Sequence, residues 1–279
     1  GEIMADLSSH APMLRLVQGD VGSGKTLVAA VSALSAIAAG YQAVLMAPTE
    51  LLAEQHLRTF RAWLEPLGVT IAWLSGKVRG QARKETLQAI AEGDATLIVG
   101  THALFQEGVS FNALALVIID EQHRFGVHQR LALTEKASGA GYPHQLVLTA
   151  TPIPRTLSMV AYADLDSSII DELPPGRTPV TTTLVDSDRR EEVIARVGAA
   201  CAAGRQAYWV CTLIEESDTL NAQAAEATAE LLKSHLPMIA VGLIHGRQTP
   251  QEKERVMARF ASGDLSLLVA TTVIEVGVD

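Results

Sequence analysis

Cysteine and aromatic residues are scarce in this sequence. Its 279 residues include two cysteines, Cys201 and Cys211, and the aromatic fraction is 4%. A single pair of cysteines cannot build the disulfide framework of a small secreted domain, so we expect reduced thiols and a cytoplasmic protein. The eight histidines show no metal-ligand spacing with the cysteines, so no zinc site is predicted.

Long hydrophobic runs and an excess of basic residues are also missing. The longest apolar stretch, residues 27–39, is too short to cross a bilayer, and no signal peptide is visible. The formal net charge of −9 argues against a protein that coats nucleic acid through its bulk charge, but it allows a local groove that follows phosphates. With 48% hydrophobic and 19% charged residues, the composition is typical of a globular protein long enough for two domains.

A phosphate-binding motif is present near the N-terminus. Residues 19–26 fit the pattern Gly-x-x-x-x-Gly-Lys-Thr and lie between an apolar run at 14–17 and an apolar helical pattern, a context that disfavours a chance match in a glycine-containing turn. The glycines allow backbone N–H groups to face phosphate oxygens, and the next helix adds its positive end. Lys25 is expected to reach the β- and γ-phosphates, and Thr26 to coordinate Mg²⁺. The predicted nucleotide-binding residues here are Gly19, Asp20, Val21, Gly22, Ser23, Gly24, Lys25 and Thr26.

Short β-branched runs alternate with helical patterns, which predicts a doubly wound α/β fold with mainly parallel sheets covered by helices on both faces. The first predicted strands are 14–17, 43–46, 69–73, 96–99, 114–119 and 145–148, and the first predicted helices are 26–39, 51–64, 80–91 and 124–133. Residues 172–179 contain three prolines and a glycine and are a predicted linker. The alternation then resumes without a second P-loop, with predicted strands at 180–185, 206–211, 239–243 and 266–270 and helices at 189–203, 219–235 and 250–261.

Two adjacent carboxylates follow the hydrophobic strand at 114–119. Asp120 is expected to hold Mg²⁺ through water, and Glu121 to orient and deprotonate the water that attacks the γ-phosphate. A charged helix cap is the alternative interpretation. His123 is a candidate sensor of the γ-phosphate. Thr149 and Thr151 end the next predicted strand and would lie near Glu121 if the two strands are neighbours; a surface turn is the alternative.

In order along the chain, five segments resemble motifs I, Ia, Ib, II and III of the superfamily 2 helicases. These segments are 19–26, Pro48-Thr49-Glu50, Gly100-Thr101-His102, Asp120-Glu121-Gln122-His123 and Thr149-Ala150-Thr151. The stretches 120–127 and 149–156 more narrowly resemble the RecG family of branch-migration helicases and its relatives, the transcription-repair coupling factors. Ser23, Gln122 and the segment 208–217 favour the RecG family. The resemblance covers nearly the whole chain.

The resemblance implies two RecA-like lobes: an ATP-binding lobe at 1–171 with motifs I to III, a linker at 172–179, and a second lobe at 180–279 with motifs IV and V, cut off before motif VI. It implies ATP and Mg²⁺ as cofactors. The implied catalytic residues are Lys25, Asp120, Glu121 and His123, and the implied metal ligands are Thr26 and Asp120. Motif V adds Gly277 and Asp279 to the nucleotide site, and Thr149 and Thr151 are implied coupling residues. The implied DNA contacts are Pro48, Thr49, Glu50, Thr101, His102, His245, Arg247, Thr271 and Thr272.

The implied function is ATP-dependent remodelling of branched DNA, such as stalled forks and Holliday junctions, by a monomeric bacterial protein associated with the nucleoid. The same resemblance places an adenine-gripping segment before Gly1 and an arginine-bearing motif VI after Asp279, so we expect this fragment to bind ATP weakly and to hydrolyse it little. Three alternatives stay open: a coupling-factor type of duplex translocase, a nucleotide-gated binding module without catalysis, and an unrelated P-loop transporter or metabolic ATPase. Intact Lys25, Thr26, Asp120 and Glu121 count against the second.

Overall fold

The structure is a computed structural model that describes residues 1–9, 11–106, 108–120, 142–151, 165–172, 178, 180–211 and 218–271. The chain divides into two compact units between residues 178 and 179. Within the described residues, each unit combines a parallel sheet with helices, which is the predicted fold class.

In its described part, the first unit has seven parallel strands in the order β3-β4-β2-β5-β6-β1-β7. The strands are β1 Leu14–Gly19, β2 Gln42–Met46, β3 Ile71–Leu74, β4 Leu97–Gly100, β5 Leu114–Asp120, β6 His144–Thr149 and β7 Asp166–Ile170. The helices are α1 Glu2–Leu7, α2 Lys25–Ala38, α3 Glu50–Leu64 and α4 Gly80–Glu92, with short 3₁₀ turns at Glu65–Leu67 and His102–Phe105.

Alternate residues of the central strands face opposite sides of this sheet, because successive side chains of a strand point to opposite faces. In β4, Leu97 and Val99 belong to one buried cluster, whereas Ile98 belongs to another. Strand β5 divides its side chains between the same two clusters. The prediction of a sheet covered on both faces is therefore confirmed, and it explains why these strands are continuously apolar rather than alternating.

Strand β7 and helix α1 were not predicted from the sequence, and one buried arginine contacts both. Arg15 of β1 is 8% exposed. Its guanidinium donates to Asp6 of α1 at 2.6 Å and to the hydroxyl of Ser168 in β7 at 2.9 Å, and it forms ion pairs with Glu2 and Asp166. Strand β7 is an edge strand that pairs with β1 from Asp166 to Ile170, and with Asp166, Ser167 and Ser168 in its first half it carries no hydrophobic pattern that identifies it.

The second unit has three described strands in the order β8-β10-β9, all parallel. They are β8 Ala207–Cys211, β9 Val241–Ile244 and β10 Leu267–Thr271, and the helices are α5 Arg190–Ala202, α6 Asp218–His235 and α7 Pro250–Ala261. The predicted strand at 180–185 is wrong: these residues form no strand, and all of them are exposed. Leu184, for example, is 101% exposed. This β-branched run pairs with no strand among the described residues, so it gains nothing from the extended conformation that the pattern indicates.

Part of the first unit is repeated in the second. Residues 71–101 and 241–271 align without a gap, and both form a strand, a helix and a strand: β3-α4-β4 and β9-α7-β10. In each unit a glutamine at or just before the start of the neighbouring strand donates hydrogen bonds to the repeat; Gln42 is buried and Gln206 is exposed. Gln42 Nε2 donates to the carbonyl oxygens of Ile90 and Ala95, and Gln206 Nε2 donates to those of Phe260 and Leu265. These acceptors occupy equivalent positions, so the two units share one building plan.

Replacing Gly100 by alanine is expected to destabilise the first unit. Gly100 pairs with Leu74 across β4 and β3, and a Cβ at this position would overlap the Leu74 carbonyl oxygen. Overpacking of this kind costs about 1–3 kcal/mol, which a lower urea midpoint would report. Gly76→Ala is the matched control, because nothing lies within 4 Å of its Cβ position. Equal midpoints for the two variants would contradict the prediction.

The protein is expected to lose stability as the pH falls below about 6.5, through His144. Burial lowers the pKa of His144 from 6.5, although Asp6 opposes this effect, and His144 Nδ1 accepts a hydrogen bond from the Met13 backbone N–H at 3.0 Å. The unfolded chain then binds a proton more readily than the folded one, so this contribution is complete above pH 6.5 and is lost below it. Between pH 7.5 and 5.5, the free energy of urea unfolding should fall less in His144→Asn than in the wild-type protein. An identical fall in the two proteins would contradict this prediction.

Candidate functional site

Three of the predicted motifs meet at one edge of the first sheet. Strand β6 lies between β1 and β5, with Gln18 opposite Thr149 and Asp120 opposite Leu148. The strands are parallel, so the P-loop after β1, Asp120 and Thr149 all lie at the carboxyl edge of the sheet, where open α/β sheets bind their ligands. Because β5 and β6 are neighbours, the condition on which the sequence placed Thr149 beside the acidic motif is met.

The P-loop adopts a conformation that its glycines permit. Gly22 and Gly24 have φ values of 78° and 95°, in the left-handed region that other residues avoid. The Ser23 N–H donates to the Asp20 carbonyl oxygen at 3.1 Å. Helix α2 begins at Lys25, and Gly24 caps it without a side-chain hydrogen bond. Because no side chain caps this helix, its first backbone N–H groups are available to donate hydrogen bonds to an anion.

The side chains of the loop also fit a polyphosphate. Lys25 Nζ donates to the carbonyl oxygens of Gly19 and Asp20 at 2.8 and 2.7 Å, so the ammonium group lies against the loop. The Ser23 hydroxyl is buried and has no hydrogen-bond partner among the described residues. Thr26 is half-buried in the first turn of α2. The ammonium group, the orphan hydroxyl and the helix N-terminus without a side-chain cap form a donor set that matches phosphate oxygens, and the Thr26 hydroxyl oxygen is a ligand type that suits Mg²⁺.

Asp120 is held by a histidine that the sequence analysis did not identify. Asp120 ends β5 and is 9% exposed, and its Oδ2 lies 2.6 Å from His56 Nε2. His56 belongs to α3, whose buried residues include Ala53, Leu57 and Phe60. A histidine on the buried stripe of an amphipathic helix is a signal that could have revealed a polar partner inside, because buried polar groups are hydrogen-bonded.

Five predicted site residues lie outside the described residues. They are Glu121, His123, Thr272, Gly277 and Asp279. Their roles, including the general base and the motif V contacts, stay predictions.

The predicted coupling residues contact each other. Thr149 is 1% exposed, and its Oγ1 lies 2.9 Å from Thr151 Oγ1 and accepts a hydrogen bond from the Thr151 N–H at 3.2 Å. Thr151 itself is exposed. The segment is therefore a turn with one buried and one exposed hydroxyl directly after β6.

The motif Ia residues begin helix α3. Thr49 caps the helix, its Oγ1 accepting from the Leu52 N–H at 3.3 Å, and Pro48 precedes it. Glu50 forms an ion pair with Lys77 at 2.5 Å. Lys77 follows β3, and its side chain is 76% exposed, so an exposed cation that the sequence analysis passed over lies beside a predicted DNA contact.

The two motif Ib residues differ in exposure. Thr101 is 2% exposed, and its hydroxyl has no hydrogen-bond partner in the described part of the chain. Its backbone N–H donates to the Leu74 carbonyl oxygen at 3.3 Å. His102 is exposed. A buried hydroxyl that makes no hydrogen bond is costly, so we expect Thr101 to have a partner outside the described residues.

In the second unit, the predicted DNA-facing residues cluster at the ends of β9 and β10. His245 Nε2 lies 3.4 Å from Glu226 Oε1, and its Nδ1 is buried without a partner among the residues described. Arg247 is exposed, and Thr271 ends β10 with 4% exposure. Helix α7 begins directly after this turn with a capping box, in which the N–H and hydroxyl groups of Thr249 lower the pKa of Glu252.

Neither a multi-ligand metal cluster nor a membrane-spanning helix occurs in the part of the chain that the structure describes. No group of three or more His, Cys, Asp and Glu side chains could hold a metal there. No described helix is long and apolar enough to cross a bilayer. Both cysteines are free thiols.

Two family models match the chain. The DEAD/DEAH box helicase model matches residues 3–160, and the helicase conserved C-terminal domain matches residues 190–279. The chain is 67% identical to the ATP-dependent DNA helicase RecG of Escherichia coli K12 and 48% identical to that of Bacillus subtilis, over all of this chain and 40% of each relative. It thus spans about 40% of the length of these curated relatives.

Solved structures resemble the whole chain. A structure of RecG bound to a three-way DNA junction has a TM-score of 0.76 and 41% identity, and the match covers 100% of this chain and 36% of that one. The helicase MrfA bound to DNA has a TM-score of 0.69 at 19% identity, covering 99% of this chain and 42% of that one. S. cerevisiae Dbp5 bound to RNA and ADP BeF3 has a TM-score of 0.64 at 16% identity, covering 100% and 70%. The last two likenesses show the fold alone.

Proposed function

The chain belongs to the DEAD/DEAH box helicase family, and from that we propose that it is the motor region of a RecG-type, ATP-dependent DNA helicase that remodels branched DNA in recombination and repair. The observation that carries the proposal is the meeting of the P-loop, Asp120 and Thr149 at one sheet edge. Whole-chain identity to RecG proteins supports this reading over a coupling-factor type of translocase.

In this proposal the first unit binds ATP and Mg²⁺. Lys25 leaves the carbonyl oxygens of Gly19 and Asp20 and donates to the β- and γ-phosphates, while Thr26 and Asp120 hold the cation. Glu121 orients and deprotonates the attacking water, and His123 senses the γ-phosphate. Bound Mg²⁺ supplies neutralisation of the charge that develops on the transferred phosphoryl group. Motif V, through Gly277 and Asp279, adds contacts to the nucleotide.

DNA is proposed to bind through its phosphates, mainly to hydroxyl and backbone N–H groups, which fix position without reading sequence. The proposed contacts are Pro48, Thr49, Glu50, Thr101, His102, His245, Arg247, Thr271 and Thr272. The internal repeat supports this set, because Thr101 and Thr271 occupy equivalent positions in it. It also makes Lys77 the equivalent of Arg247, so Lys77 is added to the proposed contacts. Few of these groups are charged, which is compatible with a net charge of −9.

Thr149 and Thr151 are proposed to couple the two events. Their turn directly follows β6, which pairs with both the P-loop strand and the Asp120 strand. Alternating grip on DNA by the two lobes, driven by ATP binding and hydrolysis, is a motion of the hinge type. We also propose a monomeric protein of the bacterial cytoplasm that acts at the nucleoid, which sedimentation and imaging of a fluorescent fusion would test.

The experiment compares DNA substrates on the full-length protein. ATP turnover and strand separation are measured with a three-way junction and with a linear duplex of the same base composition. The proposal expects the junction to stimulate both activities more strongly. Stimulation by the linear duplex alone would favour the coupling-factor type of translocase, and nucleotide binding without turnover on any DNA would favour a non-catalytic module.

A further inference from the structure

Helix α3 places a histidine side chain directly against the carboxylate of Asp120. His56 Nε2 lies 2.6 Å from Asp120 Oδ2, and the two side chains are only 11% and 12% exposed. An ionised carboxylate only accepts hydrogen bonds, so His56 donates and Asp120 accepts. The His56 ring also meets the Phe60 ring edge to face at 6.2 Å. Packing therefore fixes the imidazole, and the imidazole fixes the carboxylate.

The same helix begins at motif Ia. Thr49 caps α3, and His56 lies seven residues later, about two helical turns along the same face. Buried Ala53 and Leu57, on this side of the helix, pack it into the core of the first unit. Since a helix of this kind moves as one body, a displacement of its N-terminus also displaces His56.

We propose that His56 is a positioning residue, which holds the Asp120 carboxylate in the orientation that binds Mg²⁺ and links that orientation to the N-terminus of α3, where DNA binds. The inference rests on the proposed function, because it takes Asp120 as the Mg²⁺ residue and Thr49 as a DNA contact. A carboxylate has two oxygens, so acceptance by one from His56 is compatible with metal binding by the other. Partners of this kind contribute 10- to 100-fold to metal affinity in other proteins.

The first test measures Mg²⁺-dependent binding of a fluorescent, non-hydrolysable ATP analogue to the full-length protein. His56→Phe keeps an aromatic ring but removes the N–H group that donates to Asp120. His56→Gln keeps an N–H donor. His56→Met has about the length of glutamine but no donor. The half-saturating Mg²⁺ concentration is expected to rise about 10- to 100-fold in the Phe and Met variants and to return close to the wild-type value in the Gln variant. Binding of the analogue in excess EDTA is expected to be equal in all four proteins.

Arg58→Ala is the matched control, because Arg58 lies on α3 with its side chain 79% exposed. An unchanged Mg²⁺ dependence in the Phe and Met variants would overturn the positioning role while the proposed function stands. If the Phe variant fails to fold, the Gln and Met pair decides. Wild-type protein that binds no analogue would overturn the proposed nucleotide site, and this inference with it.

The second test addresses the link to DNA. A three-way junction is expected to lower the half-saturating Mg²⁺ concentration of the wild-type protein and to leave that of His56→Phe unchanged. An equal shift in the two proteins, or no shift in the wild type, would overturn the link through α3.

Discussion

Replacing Lys25 by alanine is expected to lower kcat/KM for ATP by about 10²- to 10³-fold, the effect of removing one preorganised donor from a site of charge development. The Lys25 ammonium group already lies inside the P-loop, on the carbonyl oxygens of Gly19 and Asp20. Phosphate oxygens are stronger acceptors for it than these neutral carbonyls. The measurement is ATP turnover by the full-length protein with a three-way junction.

Lys84→Ala is the control for this substitution, because Lys84 is an exposed lysine of the same unit on α4. It should keep normal turnover. Lys25→Met keeps a long side chain without the charge, and its ATP turnover should be as low as that of the alanine variant. Normal turnover in both Lys25 variants, with an unchanged thermal midpoint, would remove Lys25 from the site.

The parts of the fold that were predictable are those whose cause is local. Apart from Gln42 at the start of β2 and Asp120 at the end of β5, strands β2, β4 and β5 are apolar because the sheet is covered on both faces, and that pattern can be read from the sequence. The P-loop is similar: its residues are close together in the sequence, and the structure places them from Gly19, the last residue of β1, to Lys25 and Thr26, the first residues of α2. Helix α7, predicted at 250–261, has those bounds in the structure because Thr249 and Glu252 form a capping box at its start.

What escaped prediction depends on contacts between distant parts of the chain. His56 and Asp120 are 64 residues apart, and nothing near either one indicates the other. Edge strand β7 is identified by its pairing with β1 and by Arg15, not by hydrophobicity. The erroneous strand at 180–185 shows the converse. Its apolar pattern favours a strand, but pairing partners decide whether one forms.

The internal repeat has a consequence for the site. The sequence indicated only that the second part of the chain resumes the same alternation, whereas the structure makes β4 and β10 equivalent, with Thr101 and Thr271 at their ends. Both threonines are buried at the last position of the repeat. A ligand that contacts one unit at this position would have an equivalent position in the other, as the proposed motor with alternating grip would require.

Replacing Gln42 by methionine is expected to destabilise the protein by about 3–5 kcal/mol. Gln42 is 3% exposed, and its amide makes four hydrogen bonds. Nε2 donates to the carbonyl oxygens of Ile90 and Ala95 at 2.9 and 2.7 Å, and Oε1 accepts from the backbone N–H groups of Asn112 and Ala113 at 2.8 and 3.1 Å. Methionine keeps the length but no amide, and each buried group left without its bond costs about 1–3 kcal/mol.

The measurement is the free energy of urea unfolding, with two comparisons built into the chain. Gln81→Met removes an exposed bond to Glu85 and should change stability by less than about 0.5 kcal/mol. Gln206→Met removes the equivalent side chain of the repeat, whose Nε2 has the same two types of acceptor, the carbonyl oxygens of Phe260 and Leu265. The loss of stability for Gln206→Met should fall between those for Gln42→Met and Gln81→Met, because Gln42 also accepts hydrogen bonds from Asn112 and Ala113. A loss of stability for Gln42→Met no larger than that for Gln81→Met would contradict the prediction. It would show that the segments at residues 90–95 and 112–113 are held by other contacts, and not by Gln42, at the sheet edge opposite the nucleotide site.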